Sequence, residues 1–460
     1  MGTMPFHTGD LRTGTLEDWG KALRKNLISC TTITDLALTN ARDTAGEGAR
    51  VFIERFDQSA LAAAEALDAD ASAPERHQPL AGLPISIKDL FDVEGQVTQS
   101  GSVVLSDAPR ATKDAEAVHR LRKAGAVIIG RTNMTEFAYS GLGLNPHYGT
   151  PSNPFDRERQ RIPGGSSSGA AISVTDGMAL AAIGSDTGGS LRIPAAFCGL
   201  VGFKPTQSRM PMDGVLPLSQ TLDTIGPIAR SVACCALLDS VLAGDPETAL
   251  EIIELGSVRF GVLGGYVNED LAPDVAAAFD AGLSRISSAG GVLVDMPASM
   301  LDDIPEINRL GGFAAAESYA SLRYLLDASR TEFDPRVAQR IEKGAAISTE
   351  DYNAMKAARA ALIDELRVHD GGVDVWLCPT VPMTAPRLRD LSDDEEYART
   401  NLLVLRNPSV ANFLDRPAIS LPCHVDDGLP VGLMMIGQTG QDRRLLAVAA
   451  ACERLVASAE

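Results

Sequence analysis

At 460 residues the chain is long enough for two or three average domains, or for one large α/β domain with a deep core. Hydrophobic residues at 45% against 22% charged residues exclude a disordered chain and match an ordinary globular protein. The formal charge of −19, with no Lys/Arg stripe to offset it, excludes direct binding to phosphate backbones.

From the amino end, Met1–His7 shows neither a basic region with an apolar run behind it nor a lipidation pattern. Residues 1–80 read as a peripheral helical segment, with an Ala-rich stretch at Leu61–Leu67 and a polar loop around Asp70–Gln78. The most apolar segments, such as Gly177–Gly184 and Leu445–Cys452, fall short of the roughly 20 residues that span a bilayer, so no membrane association is expected. Seven scattered cysteines without metal-ligand spacing read as reduced, buried thiols, which points to the cytoplasm and to no metal.

From Leu83 onward short apolar runs alternate with amphipathic ones. Pro84–Ile87, Ala126–Gly130, Ala179–Gly184, Gly199–Phe203, Val258–Leu263, Gly291–Asp295, Val373–Cys378, Ala418–Pro422 and Val431–Ile436 are predicted strands. Helical patterns cover Ala115–Ala124, Pro273–Ser288, Pro335–Lys343, Thr349–Val368 and Arg443–Val456. The order predicts an α/β fold: one large domain, residues 1–460, with a mixed, mostly parallel sheet sandwiched between helices. Within it, residues 81–210 form a core and residues 211–460 a helical cap with the remaining sheet.

Two Gly/Ser clusters lie close together, Gly164-Gly165-Ser166-Ser167-Ser168-Gly169 and Gly184-Ser185-Asp186-Thr187-Gly188-Gly189-Ser190. Each alone resembles a flexible loop. Between them Ala170–Ala182 reads as a helical start followed by a short strand, which makes the clusters two turns at element ends. In the run Thr187-Gly188-Gly189-Ser190 glycines let successive backbone N–H groups converge into a nest suited to a developing oxyanion. Ser190 would present its hydroxyl beside that nest and needs a base. The histidines, at positions 7, 77, 119, 147, 369 and 424, are not tied to Ser190 by spacing, although His147 and His424 sit in plausible loops and His119 on the polar side of a helix. Lys88, closing the run Pro84-Ile85-Ser86-Ile87, is the stronger candidate because burial lowers a lysine's pKa, yet alone it reads as a snorkelling surface residue.

Pro84-Ile85-Ser86-Ile87-Lys88-Asp89, then Ile162-Pro163-Gly164-Gly165-Ser166-Ser167-Ser168-Gly169-Ala170-Ala171, then Gly184 through Ala195 resemble the amidase signature family in order and spacing. Ser166 and Ser190 stand 24 residues apart, the separation usual for that family's two catalytic serines. The resemblance continues through Asn133–Phe137, Gly202–Thr206 and Leu429–Leu433, and so covers about Leu80 to the carboxyl end, with the first 80 residues matched loosely. It implies a Ser–cis-Ser–Lys triad: Ser190 as nucleophile, Ser166 on a cis peptide after Gly165, and Lys88 as base. Thr187, Gly188, Gly189 and Ser190 would supply the oxyanion hole. The implied reaction cleaves a carboxamide C–N bond of a small-molecule substrate through an acyl-enzyme, releasing ammonia or an amine, with no cofactor and with a homodimer as a possible assembly. Asp186 orients the nucleophile loop or caps a turn, Arg192 braces that loop or meets a substrate carboxylate, and Tyr139 is a candidate for the acyl pocket. Loops such as Asp302–Ala345 are expected to wall the pocket.

Three other readings compete. Gly165-Ser166-Ser167-Ser168-Gly169 satisfies the G-x-S-x-G elbow of α/β-hydrolases with Ser167 as nucleophile, but Arg157–Pro163 before it reads as a loop where a strand is needed. The amidotransferase A subunit resembles the same family; its usual Ala-Glu-Ala-Ser-Ser-Asn-Leu-Ala-Arg-Tyr-Asp-Gly segment is replaced here by Ala316-Glu317-Ser318-Tyr319-Ala320-Ser321-Leu322-Arg323-Tyr324. A catalytically inactive binding protein on the same fold conflicts with the intact Lys88, Ser166 and Ser190.

Overall fold

A computed structural model describes residues 7, 9–69, 78–246, 248–369, 372–423 and 428–457. The predicted loop at Asp70–Gln78 therefore lies almost wholly outside the described residues. Eleven strands form one sheet: β1 (Phe52–Arg55), β2 (Pro84–Lys88), β3 (Val127–Thr132), β4 (Ala181–Asp186), β5 (Val201–Lys204), β6 (Thr224–Ala229), β7 (Arg259–Val262), β8 (Val292–Asp295), β9 (Val375–Pro379), β10 (Ala418–Pro422) and β11 (Gly432–Ile436). Their spatial order is β1-β3-β2-β4-β6-β5-β10-β11-β9-β7-β8.

The large α/β domain with a mixed sheet is as expected, and its parallel pairing is concentrated in two blocks, β3-β2-β4 and β9-β7-β8. The six pairings around and between them are antiparallel, so parallel character belongs to the blocks and not to the whole sheet. The blocks contain the helical crossovers that parallel pairing requires: Glu116–Lys123 precedes β3 and Pro273–Ser288 joins β7 to β8. Every residue of β2 and β4 is buried, which is why these strands read as continuous apolar runs without alternation.

Two strands escaped the pattern. β6 carries Gly226-Pro227 at its middle, a pair that normally argues against a central strand. Here it packs between β4 and β5, where a Cβ on Gly226 would meet the Phe203 carbonyl at 2.3 Å. β1 has only four residues, two of them charged, and sits at the sheet edge. Its presence corrects the reading of residues 1–80 as merely peripheral helices: the helices Leu16–Arg24 and Cys30–Arg42 also bury Trp19, Ile33 and Leu38 in the main core.

A second apolar cluster, including Phe313, Leu362, Trp376, Phe413 and Met434, lies between the sheet and the helices Gly312–Ser329, Thr349–His369 and Pro408–Phe413. The segment Asp302–Ala345 is thus largely helical, with Asp303–Ile307, Gly312–Ser329 and Pro335–Glu342, where loops were expected. Among the described residues no helix is long and apolar enough to cross a membrane.

Candidate active site

The parallel block brings the carboxyl ends of β2 and β4 side by side, the edge at which open α/β sheets place ligands. Lys88 ends β2 and is fully buried. Its Nζ donates to Ser166 Oγ at 2.6 Å and to Ser185 Oγ at 2.8 Å. Loss of hydration lowers its pKa from 10.5 to about 7, against the nearby charges of Asp186 and Asp223, which pull the other way. Desolvation wins, and the amine is half neutral near pH 7.

Ser166 is fully buried on the turn between Gly164 and the helix Ser168–Thr175. Its carbonyl accepts from Thr135 N at 3.1 Å, Gly165 N donates to Gly141 O at 2.8 Å, and the Gly165–Ser166 peptide is cis, as the resemblance implies. The two Gly/Ser turns do face one another: a Cβ on Gly184 would lie 2.6 Å from Ser167 Oγ, so only glycine lets β4 approach this closely. Ser167 itself is buried as the residue before the helix, and its hydroxyl donates to the Ser185 carbonyl at 3.4 Å instead of capping the helix. No strand precedes it, Arg157–Arg159 being a single 3₁₀ turn, so the α/β-hydrolase elbow is absent.

Ser190 lines a cavity of about 880 Å³ together with Thr187, Gly188 and Tyr139. Its hydroxyl is not hydrogen-bonded to Ser166 in this structure, so the geometry joins Lys88 to Ser166 but leaves Ser190 at the cavity wall. Gly189 N donates to Asp186 Oδ1 at 2.8 Å, so this N–H is committed inside the loop.

Asp186 and Arg192 do not reach the cavity, contrary to their inclusion among substrate contacts. Both are fully buried, and their charges satisfy each other through Arg192 Nη2 to Asp186 Oδ1 at 2.9 Å and Nε to Oδ2 at 3.1 Å. Asp186 also accepts from Leu191 N at 3.0 Å and Asn412 Nδ2 at 2.9 Å. Arg192 further donates to the Pro408 carbonyl at 2.8 Å and to Asn412 Oδ1 at 2.6 Å. Burial pushes the Asp186 carboxyl up, and the Arg192 guanidinium outweighs it, bringing the pKa down to about 2. Asp186 and Arg192 are braces. Arg192→Ala, which strands a buried carboxylate, should cost about 3–5 kcal/mol in urea unfolding. A loss below about 1 kcal/mol would remove the bracing role.

Tyr139 does line the cavity, under the guanidinium of Arg340 at 4.4 Å from its ring centroid. Arg340, also on the cavity wall, keeps a buried Nη1 with no hydrogen-bond partner among the described residues. Sequence reasoning missed it, and likewise Ser185 at Lys88 and Asp223, whose Oδ1 accepts from Thr187 Oγ1 at 2.5 Å. Ser185 stood inside the quoted Gly/Ser cluster; Asp223 and Arg340 carried no local signal. Of the histidines, His119 is exposed on its helix and His147 Nε2 donates to Glu136 Oε1 at 3.0 Å, neither residue of that pair lining the cavity that holds Ser190. His77 and His424 lie outside the described residues.

A buried lysine bonded to a serine on a cis peptide, under a Gly-Gly-Ser turn at the edge of a mixed α/β sheet, defines the amidase signature class. The chain belongs to the Amidase family, whose model matches residues 37–446. That match reaches further toward the amino end than the motifs, which begin near Leu80. A 2-amino-5-chloromuconic acid deaminase of Comamonas testosteroni is 37% identical over 404 residues, 86% of either chain. An A subunit of glutamyl-tRNA(Gln) amidotransferase from Koribacter versatilis (strain Ellin345) is 32% identical over 487 residues, 98% of this chain and 100% of that one. A crystal structure of an amidase superposes with a TM-score of 0.85 at 31% identity, covering 96% of this chain and 100% of the other.

Proposed function

We propose that the chain hydrolyses a carboxamide C–N bond of a small molecule through an acyl-enzyme on Ser190. The observation that carries this is the 2.6 Å contact of a fully buried Lys88 with Ser166. Neutral Lys88 accepts the Ser166 proton, Ser166 accepts that of Ser190, and Ser190 Oγ attacks the amide carbonyl. The Ser190–Ser166 contact forms when substrate is bound, as catalytic hydrogen bonds often tighten only in the complex. The carbonyl oxygen, now negative, sits among the N–H groups of Thr187, Gly188 and Ser190. Ser166 returns a proton to the nitrogen as the C–N bond breaks and ammonia or an amine leaves. Water repeats the sequence on the ester, and a carboxylic acid is released.

The cavity favours an acyl group that is largely apolar and carries an acid. Leu218, Leu222, Ile304, Phe313 and Phe413 form its walls, and Arg340 supplies a guanidinium among them. The 37% identical relative is named for an acid substrate, which fits the same reading. Arg340→Leu should raise KM about 10- to 100-fold for carboxylate-bearing amides, the value of one charge-assisted hydrogen bond. It should leave kcat/KM for neutral amides near wild type in a substrate screen. An equal loss on both substrate sets would remove Arg340 from acid recognition.

The amidotransferase-subunit reading is favoured by the 32% identity over 98% of the chain. Against it, the stretch Ala316–Tyr324 lies within the helix Gly312–Ser329 and lacks the Asn-Leu-Ala-Arg-Tyr-Asp-Gly ending. The purified chain alone should hydrolyse simple amides; activity confined to a mixture with partner subunits would favour the alternative. The seven cysteines, all buried and none in a disulfide, support a reducing cytoplasmic setting.

A further inference from the structure

The helical wall of the cavity is tied to the catalytic turn by two carboxylates in series. Glu317, on the helix Gly312–Ser329, is saturated by four donors. Its Oε2 accepts from Ser219 Oγ at 2.5 Å and Thr221 N at 3.1 Å. Its Oε1 accepts from Tyr352 OH at 2.6 Å and from Thr221 Oγ1. Ser219 then turns to the second carboxylate: its N–H donates to Asp223 Oδ2 at 3.0 Å, beside Leu218 N at 2.9 Å. The other oxygen of Asp223 receives the Thr187 hydroxyl at 2.5 Å. Leu218 and Leu222 of the bridging loop and Phe313 of the Glu317 helix all face the cavity, as does Thr187.

Glu317, with every lone pair engaged, has no spare orientation, and Asp223 is held by three donors across both oxygens, so such a chain transmits position from one end to the other. We propose that Glu317 is a positioning residue for the oxyanion nest, acting through Ser219 and Asp223 on Thr187, and that this relay sets nest geometry according to how substrate packs against the apolar wall. The inference rests on the reading of Ser190 as nucleophile. Asp223 is held up at about 6, first by burial, and Glu317 adds to that shift, which agrees with the two acids being close.

The test is the rate at which a fluorophosphonate modifies Ser190, because its phosphoryl oxygen occupies the nest and no knowledge of the natural substrate is needed. Glu317→Gln should slow modification about tenfold, a fraction of the loss expected when a whole oxyanion donor is removed. In a Thr187→Val background, where the relay is already cut, Glu317→Gln should change the rate less than about twofold. Should Glu317→Gln fail to fold, Tyr352→Phe, which removes one of the four donors, carries the same comparison with a loss of about threefold. Modification of the Glu317→Gln protein at the wild-type rate, or the same slowing in both backgrounds, overturns the relay and leaves Ser190 as nucleophile. Failure of the wild-type protein to be modified at Ser190 overturns that reading and the relay with it.

Discussion

Ser190→Ala is expected to lower kcat by roughly 10⁴- to 10⁶-fold while the protein stays folded, because removing a nucleophile that works as a unit with its base costs nearly the whole of their joint effect. The side chain is small and its hydroxyl makes no hydrogen bond to Ser166 here, so little packing is lost. Steady-state kinetics and a melting curve on the same sample separate the two effects. Ser166→Ala should come close to the same kcat, since in the proposed mechanism Ser166, bonded to Lys88, carries the proton between Ser190 and Lys88. A Ser190→Ala enzyme within tenfold of wild type would place the chemistry elsewhere.

Lys88→Met is expected to lower kcat by about 10²- to 10⁴-fold, the usual contribution of a positioned base, and to leave stability equal or higher. The second part follows from the lysine's surroundings: it holds a polar amine in a strand with every residue buried, and methionine fills similar volume without that desolvation. Its pKa fixes the pH dependence. With the folded value near 7, the neutral fraction falls to about a tenth at pH 6, so kcat/KM should drop about tenfold per pH unit below 7 and level off above it. The linkage has the opposite sense to a lysine that gains an anionic partner. Here the unfolded chain binds the proton between pH 7 and 10.5 and the folded one does not, so this group makes stability rise with pH across that window. Lys88→Met should abolish both that part of the slope and the acid limb of the rate profile. An unchanged acid limb in any residual activity would assign it to another group.

The strands legible in the sequence are those that bury both faces or carry a branched apolar centre. β10 matches its predicted bounds and the helix Pro273–Ser288 does too, because proline at the first turn and a clean period of about 3.6 leave little room for error. β6 was hidden because Gly226 and Pro227 deny the local signal, and only neighbours at both sides make it a strand. The same distinction governs the site. Ser166 and Ser190 sit in two short clusters and could be found together, whereas Lys88 alone resembled a surface lysine; its burial depends on β2 being flanked by β3 and β4. Arg192 lies two residues from Ser190, yet the fold turns it inward to Asp186, and it is Arg340, 150 residues away from Ser190 in sequence, that lines the cavity. Proximity along the chain misled in one case and was absent in the other, since cavity walls are assembled from helices that share no local pattern with the catalytic turns.

The most direct measurement is peptide mass spectrometry on enzyme quenched in acid during turnover of an amide or activated ester. An acyl group attached to the peptide containing Ser190, and absent from Ser190→Ala, is the expected result. An acyl group on Ser167, or turnover with no acylated serine at any quench time, would contradict the account.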